Sequence, residues 1–354
     1  MVTIRDVARA AGVSTSTVSR ALDERLPRSR SATAERVREV ARELGYVRDP
    51  LASGLRRAGT STIGVIVPRL TDTIMAMLYE EIAAASAERG VFAVVASTED
   101  SPEAERRAAD SLMRRRVDGL ILTTARLDTA GAPTARQEAP PAADREDAPA
   151  ASPAVGRPAV PRVLALRTDG FHPASVGDDL LGARLATRHL LDLGHRRIGL
   201  VGGPEHASSA LLRHQGHREA LREMGVEPDP RLTTGDSFSM EAGEAAGRRL
   251  LALPEPPTAI FAVNDNTAIG VLAAAHQRGL RVPEDLSVVG YNDIPTVSRL
   301  PVPLSTVRVP FDQVARGALR LLLEEREPGT PPPILTATPT FIPRASSCPP
   351  PRRT

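Results

Sequence analysis

At 354 residues the chain can bury one large core or two lobes and still carry a small additional domain. Its formal net charge of +2 conceals an asymmetry, because residues 1–60 hold 12 Arg against 7 acids (+5) while the remainder holds 33 Arg against 36 acids (−3). A polyanionic partner is therefore expected for the first segment only. With no apolar run of about 18 residues, no signal peptide and a single cysteine, Cys348, the sequence argues against a membrane span, export and a disulfide scaffold, and a cytoplasmic location is expected.

Residues 3–22 have the form of a helix, a short turn and a second helix. Thr3 with Asp6 makes a capping box, and Ile4, Val7 and Ala8 share one face. Gly12 ends this helix where a left-handed residue is needed, and Val13 plugs the turn. Ser14 caps the second helix, whose inner face is Val18, Ala21 and Leu22. Thr15, Ser16, Thr17, Ser19 and Arg20 are left outward, with no acidic residue from Gly12 to Leu22, a face suited to the DNA major groove. A plain amphipathic helical hairpin is the alternative. A third helix is expected over Thr33–Tyr46, with Val37, Val40, Ala41 and Leu44 inward and Gly45 as the stop.

From Met1 through Gly54-Leu55-Arg56-Arg57 the chain resembles the lac and gal repressor (LacI/GalR) family of transcription regulators, and the likeness extends over nearly the whole sequence. It implies a fold of class α/β: an all-α helix-turn-helix headpiece (1–48), a hinge helix (49–59), and a core (60–344) of two doubly wound parallel sheets like those of periplasmic sugar-binding proteins. A Pro-rich tail (345–354) is expected to follow. In the family the hinge folds when two copies pack on DNA and a leucine from each enters the minor groove. Leu55 holds that place and Arg56 the basic position after it, although a plain flexible linker is the alternative. The usual Pro-Asn and Ala-Arg pairs are here Arg48-Asp49 and Ala52-Ser53. Gly54 adds a helix penalty of about 1 kcal/mol relative to Ala.

Within the body, short apolar runs alternate with amphipathic helical stretches, as β–α units of parallel sheets do. Strands are expected at 63–67, 91–96, 119–122, 163–166, 198–201, 259–263 and 286–289. Helices are expected at 71–89, 102–115, 182–193, 211–224, 241–253, 267–278 and 311–325. Residues 126–161 interrupt the pattern: 18 of the 36 are Ala or Pro, so a disordered insertion is expected, either merely tolerated or a regulatory docking segment. No heptad run follows 311–325, so a homodimer without a tetramerising coiled coil is expected.

Sheets of this kind bind ligands at the carboxyl ends of their strands. There the resemblance implies an effector site formed by Asp72, Arg213, Phe238, Asn264, Asp265, Asn292 and Asp293, with Met77 and Asp178 nearby. A guanidinium fork suits vicinal oxygens, and an aromatic face suits a sugar ring or a base. Asn292 stands where the family often has Asp, which changes the donors offered. Local alternatives exist: Asp265 as a helix cap, Phe238 as a core aromatic, Arg213 paired with Glu219. His206, His214 and His217 invite a zinc reading, but no carboxylate or Cys at ligand spacing supports it. With no nucleophile elbow, phosphate-binding Gly-rich loop or His-Glu-x-x-His, an enzyme is not expected, and no cofactor. The combined expectation is a repressor that binds double-stranded operator DNA and responds to a small effector, a sugar before a nucleobase. An exported binding protein and a doubly wound enzyme are the competing classes.

Overall fold

Val7, Val18 and Val37, one from each of three short helices, are all completely buried and form the centre of a small N-terminal unit. The computed structural model describes residues 2–22, 31–46, 60–127, 160–324 and 330–351. The first unit ends at Thr60 and the second begins at Ser61. In the first, α1 (Ile4–Ala11) opens with the Asp6 carboxylate accepting from both the Thr3 N–H (2.9 Å) and its hydroxyl (2.6 Å). It stops at Gly12 (φ 65°), after which the Val13 N–H reaches back to the Ala8 carbonyl at 3.0 Å. Helix α2 (Thr15–Ala21) follows, and α3 (Ala32–Glu43) begins one residue earlier than expected because Ser31 accepts from the Ala34 N–H. Gly45 (φ 64°) and the Tyr46 N–H on the Ala41 carbonyl close α3 as Gly12 closes α1. Each buried valine contributes roughly 1.5–3 kcal/mol relative to exposure, which is how so small a unit holds together.

The second unit contains two six-stranded sheets. One is formed by β1 (Thr62–Val67), β2 (Phe92–Ser97), β3 (Gly119–Leu122), β4 (Arg162–Ala165), β5 (Ala174–Gly177) and β11 (Ile334–Ala337), in the order β11-β5-β4-β3-β1-β2. The other is formed by β6 (Ile198–Val201), β7 (Thr233–Thr234), β8 (Ala259–Ala262), β9 (Ser287–Asn292), β10 (Ser305–Arg308) and β12 (Thr340–Ile342), in the order β12-β10-β9-β8-β6-β7. All pairings are parallel except β10 with β12, an antiparallel edge on an otherwise parallel sheet. Helices α4 (Thr73–Ala87), α5 (Pro102–Arg114) and α10 (Phe311–Leu323) pack on the first sheet. Helices α6 (Asp179–Asp192), α8 (Met240–Leu251) and α9 (Asp265–Gln277) pack on the second, and α7 (Ser208–Glu223) packs against α6. The near-continuous apolar strands follow from this double covering: Ile63, Val65, Ile66 and Val67 of β1 are all fully buried.

The chain passes between lobes after β5, after β10 and after β11, so among the described residues three short connections join them. The expected tail is not separate from the core. Ser346 is fully buried, donating to the Val288 carbonyl (2.6 Å) and accepting from the Ser305 N–H (2.8 Å). The Cys348 carbonyl lies 2.9 Å from His195 Nε2. Residues 345–351 therefore belong to the second lobe, because their polar groups complete hydrogen bonds at the starts of β9 and β10 that would otherwise be left open. Most of the expected insertion (128–159), and the hinge with Leu55 and Arg56, lie outside the described residues.

Candidate functional sites: a recognition helix and an interlobe cleft

On α2, Ser14 holds the helix start: its Oγ accepts from the Thr17 N–H (3.2 Å) and lies 2.7 Å from Ser16 Oγ and 2.9 Å from Thr17 Oγ1. Thr15, Ser16 and Arg20 are exposed, whereas Thr17 is half-buried with its hydroxyl turned to Ser14. Arg38 of α3 donates to the Ala21 carbonyl (3.3 Å), fixing the far end of α2 to the third helix. The outcome is a rigid polar face with Arg20 free of a resolved partner among the described residues.

Between the lobes of the second unit lies a cavity of about 560 Å³, in the size range of small-molecule sites. Five of the seven expected effector residues line it: Asp72, Arg213, Phe238, Asn264 and Asn292. Arg213 is buried, donating from Nε to Asp179 Oδ1 (2.8 Å) and from Nη1 to the Val263 carbonyl (2.6 Å), with its guanidinium 3.8 Å from the Tyr291 ring centroid. Burial opposes its charge, and the Asp179 carboxylate beside it holds the proton on. The alternative partner, Glu219, is instead near Arg184 (3.7 Å). Asp178 caps α6 through the Leu181 N–H (2.9 Å), so the carboxylate that serves Arg213 is its neighbour, Asp179.

Asn264 caps α9, its Oδ1 accepting from the Thr267 N–H (2.8 Å), and its amide donates to the Phe238 carbonyl (3.0 Å). It thus positions Phe238 as well as lining the cavity. Asp72 caps α4 through the Ile74 N–H (3.1 Å) and accepts from Asn266 Nδ2 of the opposite lobe (3.2 Å); burial pushes its carboxyl above the usual range. Because a carboxylate only accepts, this contact fixes which end of the Asn266 amide is oxygen. That Oδ1 has no hydrogen-bond partner among the described residues, and neither has Oδ1 of Asn292. Asn292 sits at φ 106°, a strained conformation for a non-glycine residue at a strand end.

Two expected site residues fall elsewhere. Asp265 is fully buried behind the cavity wall, accepting from the Thr306 hydroxyl (2.7 Å) and the Ile294 N–H (2.8 Å), and burial raises its carboxyl to about 7. It is not the cap of α9 either, since Asn264 is. Asp293 holds Arg308 (2.7 Å) and Arg344 (2.6 Å) instead of facing the cavity, and Met77 packs against the core while Met75 lines the site. His217 is buried against Thr187 (2.9 Å) and kept neutral, its ring pushed down to about 3 by burial. Among the described residues no three metal-ligating side chains converge.

Sequence reasoning missed Arg167, Asn266, Asp100 and Ser209, all of which line the cavity. Arg167 stands two residues beyond the apolar strand β4 and Asn266 two residues beyond Asn264, so the strand-end rule could have found both. The lobes also touch directly: the Thr168 N–H donates to Ser208 Oγ (2.9 Å) and the Leu127 N–H to the His206 carbonyl (2.8 Å).

A helix-turn-helix unit followed by a two-lobed core with a polar interlobe cavity defines a class, that of ligand-binding cores carrying a DNA-reading domain. Comparison with known proteins agrees. The pattern described as bacterial regulatory proteins, lacI family, matches residues 3–49, and that of the periplasmic binding protein-like domain matches residues 187–347. The HTH-type transcriptional repressor CytR of Escherichia coli (strain K12) is 34% identical over 92% of this chain and 90% of its own. The ribose operon repressor of the same organism is 34% identical over 98% of this chain and all of its own length, 100%. The crystal structure of the lac repressor dimer bound to operator and the anti-inducer ONPF is 26% identical, covers 98% of this chain and 99% of its own, and superposes with a TM-score of 0.80. The chain belongs to the lacI family of bacterial regulatory proteins, as a DNA-binding transcriptional repressor. Among the described residues no helix is long and apolar enough to cross a membrane.

Proposed function

We propose that the protein acts as a homodimer on operator DNA and that a small polyhydroxylated effector, a sugar, binds in the interlobe cavity and sets its DNA affinity. The DNA-reading residues are Thr15, Ser16 and Arg20, with Thr17 supporting the helix start, and Leu55 and Arg56 act at the hinge. The lac repressor structure, a dimer on operator with a small molecule, and the ribose operon repressor support this reading.

The observation that carries the effector reading is the pair of unpartnered amide oxygens, Asn266 Oδ1 and Asn292 Oδ1, at a 560 Å³ cavity between lobes. A buried acceptor left unpaired costs about 1–3 kcal/mol, which ligand hydroxyls would recover. Point acceptors of this kind suit hydroxyls better than a flat base. The Phe238 ring already has the Arg167 guanidinium 5.4 Å from its centroid, which leaves less aromatic surface for stacking.

Asp72 and Asn266 already meet across the cleft, and a ligand bridging the same surfaces favours the closed arrangement. It can shift operator affinity only through its differential affinity for the two arrangements, on a scale of about 1–3 kcal/mol. Thermal-shift screening of sugars and nucleobases tests the site: a hit with the wild type that is lost in Asn266→Ala and Phe238→Ala is expected. A hit of undiminished affinity in both variants places the effector elsewhere.

A further inference from the structure

The unpartnered groups of the cavity differ in sign. Arg167 follows Leu166, a non-glycine residue at φ 65°, and this turn directs its side chain back into the cavity wall. The guanidinium is only 6% exposed, and its Nη1 has no hydrogen-bond partner among the described residues. The acid nearest to it by ion pairing is Asp100, with Oδ1 3.8 Å from Nη1, beyond hydrogen-bonding range. Asp100 is itself shared: Arg126 lies 3.1 Å from the same oxygen and His206 3.5 Å from the other. Arg213 does not relieve the imbalance, because its charge is matched by Asp179 at 2.8 Å. The Phe238 face offers Arg167 a cation–π contact but no countercharge.

A buried cation with a spare N–H normally has an anion to meet it. Resting on the cleft as the effector site, we propose that the effector is a hydroxylated carboxylic acid, a sugar acid, whose carboxylate seats on Arg167 while its hydroxyls donate to Asn266 and Asn292. A monoanion is favoured over a phosphate ester because Asp72 and Asp100 line the same cavity and would oppose a dianion. Burial lowers the affinity of Arg167 for its proton, Arg126 and Arg213 add to this, and Asp100 and Asp72 oppose it.

Isothermal titration of the full-length protein with D-gluconate, D-glucuronate and D-galacturonate, against D-glucose and D-galactose, tests the proposal. At least one acid is expected to bind about tenfold or more tightly than its neutral counterpart, the scale of a hydrogen bond between charged groups. Arg167→Gln is expected to remove that preference, the acids then binding no more tightly than the neutral sugars, and Arg167→Lys to restore part of it. A neutral sugar bound as tightly as the acids overturns the proposal but leaves the cleft reading standing. An acid preference that survives Arg167→Gln also overturns it, and a fall in melting temperature with that preference intact would mark Arg167 as a purely structural partner of Asp100. Failure of all five compounds to bind counts against both readings.

Discussion

Truncating Asp179 tests whether the cleft is built around a buried ion pair. Its carboxylate and the Arg213 guanidinium are 4% and 7% exposed and 2.8 Å apart. Removing one member of such a pair strands the other charge, at about 3–5 kcal/mol, whereas replacing both by apolar residues of similar volume is often neutral. Asp179 is not the cap of α6, so Asp179→Ala leaves the helix start intact. Unfolding midpoints of domains of 150–250 residues move by about 2–4 °C per kcal/mol, so the expected drop for Asp179→Ala is about 6–20 °C in the transition of the second lobe. Asp179→Asn retains an acceptor for Nε and should lose less. The double variant Asp179→Leu with Arg213→Met should recover most of the stability and bind no effector. Differential scanning calorimetry with far-UV circular dichroism reads these changes. A drop below about 3 °C for Asp179→Ala, or a double variant no more stable than the single one, would refute the buried pair.

Two further outcomes follow from particular residues. Asp265, raised by burial to about 7 from an ordinary 3.8, keeps its proton in the folded state where the unfolded chain has lost it. Its contribution is therefore fully present below about pH 4, is lost as pH rises to 7, and is flat above that. His217, pushed down to about 3, acts in the opposite sense between pH 3 and 6.5, so the Asp265 contribution must be read as wild type minus Asp265→Asn. That difference should change by up to about 4 kcal/mol across the window, and a pH-independent difference would show Asp265 to be ionised in the fold. Arg20→Ala should cost about 1–3 kcal/mol per half-site on operator DNA with less effect on random duplex. Equal losses on both, by fluorescence anisotropy, would remove Arg20 from base reading.

The parts of the fold set by local rules were legible. Gly12 and Gly45 stop their helices at positive φ, Ser14 caps the recognition helix, and the apolar run of β1 is buried as its composition requires. Strands β5, β7, β10, β11 and β12 were not foreseen, because they are two to four residues long and rich in Ser and Thr, and their pairing comes from distant segments. The cavity was legible where a side chain ends a strand, as at Asn292, or caps the helix that follows one, as at Asp72. It was misread at Asp265 and Asp293, where residues adjacent in sequence point to opposite sides of the backbone: Asn292 lines the cavity while Asp293 turns to Arg308 and Arg344. The place of Arg167 after β4 could have marked it, but its contacts with Phe238 and Asp100, both remote in sequence, could not be read from the chain.

The most direct test of ligand-controlled repression is operator affinity of the full-length protein with and without the effector found by thermal shift. Fluorescence anisotropy on a DNA fragment from its own promoter, run in parallel for the wild type and Asn266→Ala, supplies it. The account predicts that saturating effector changes the wild-type dissociation constant by about 5–150-fold. In Asn266→Ala, with ligand-free DNA binding close to normal, the same effector concentration should produce no change. An effector that binds the wild type yet leaves its operator affinity unchanged would contradict the account.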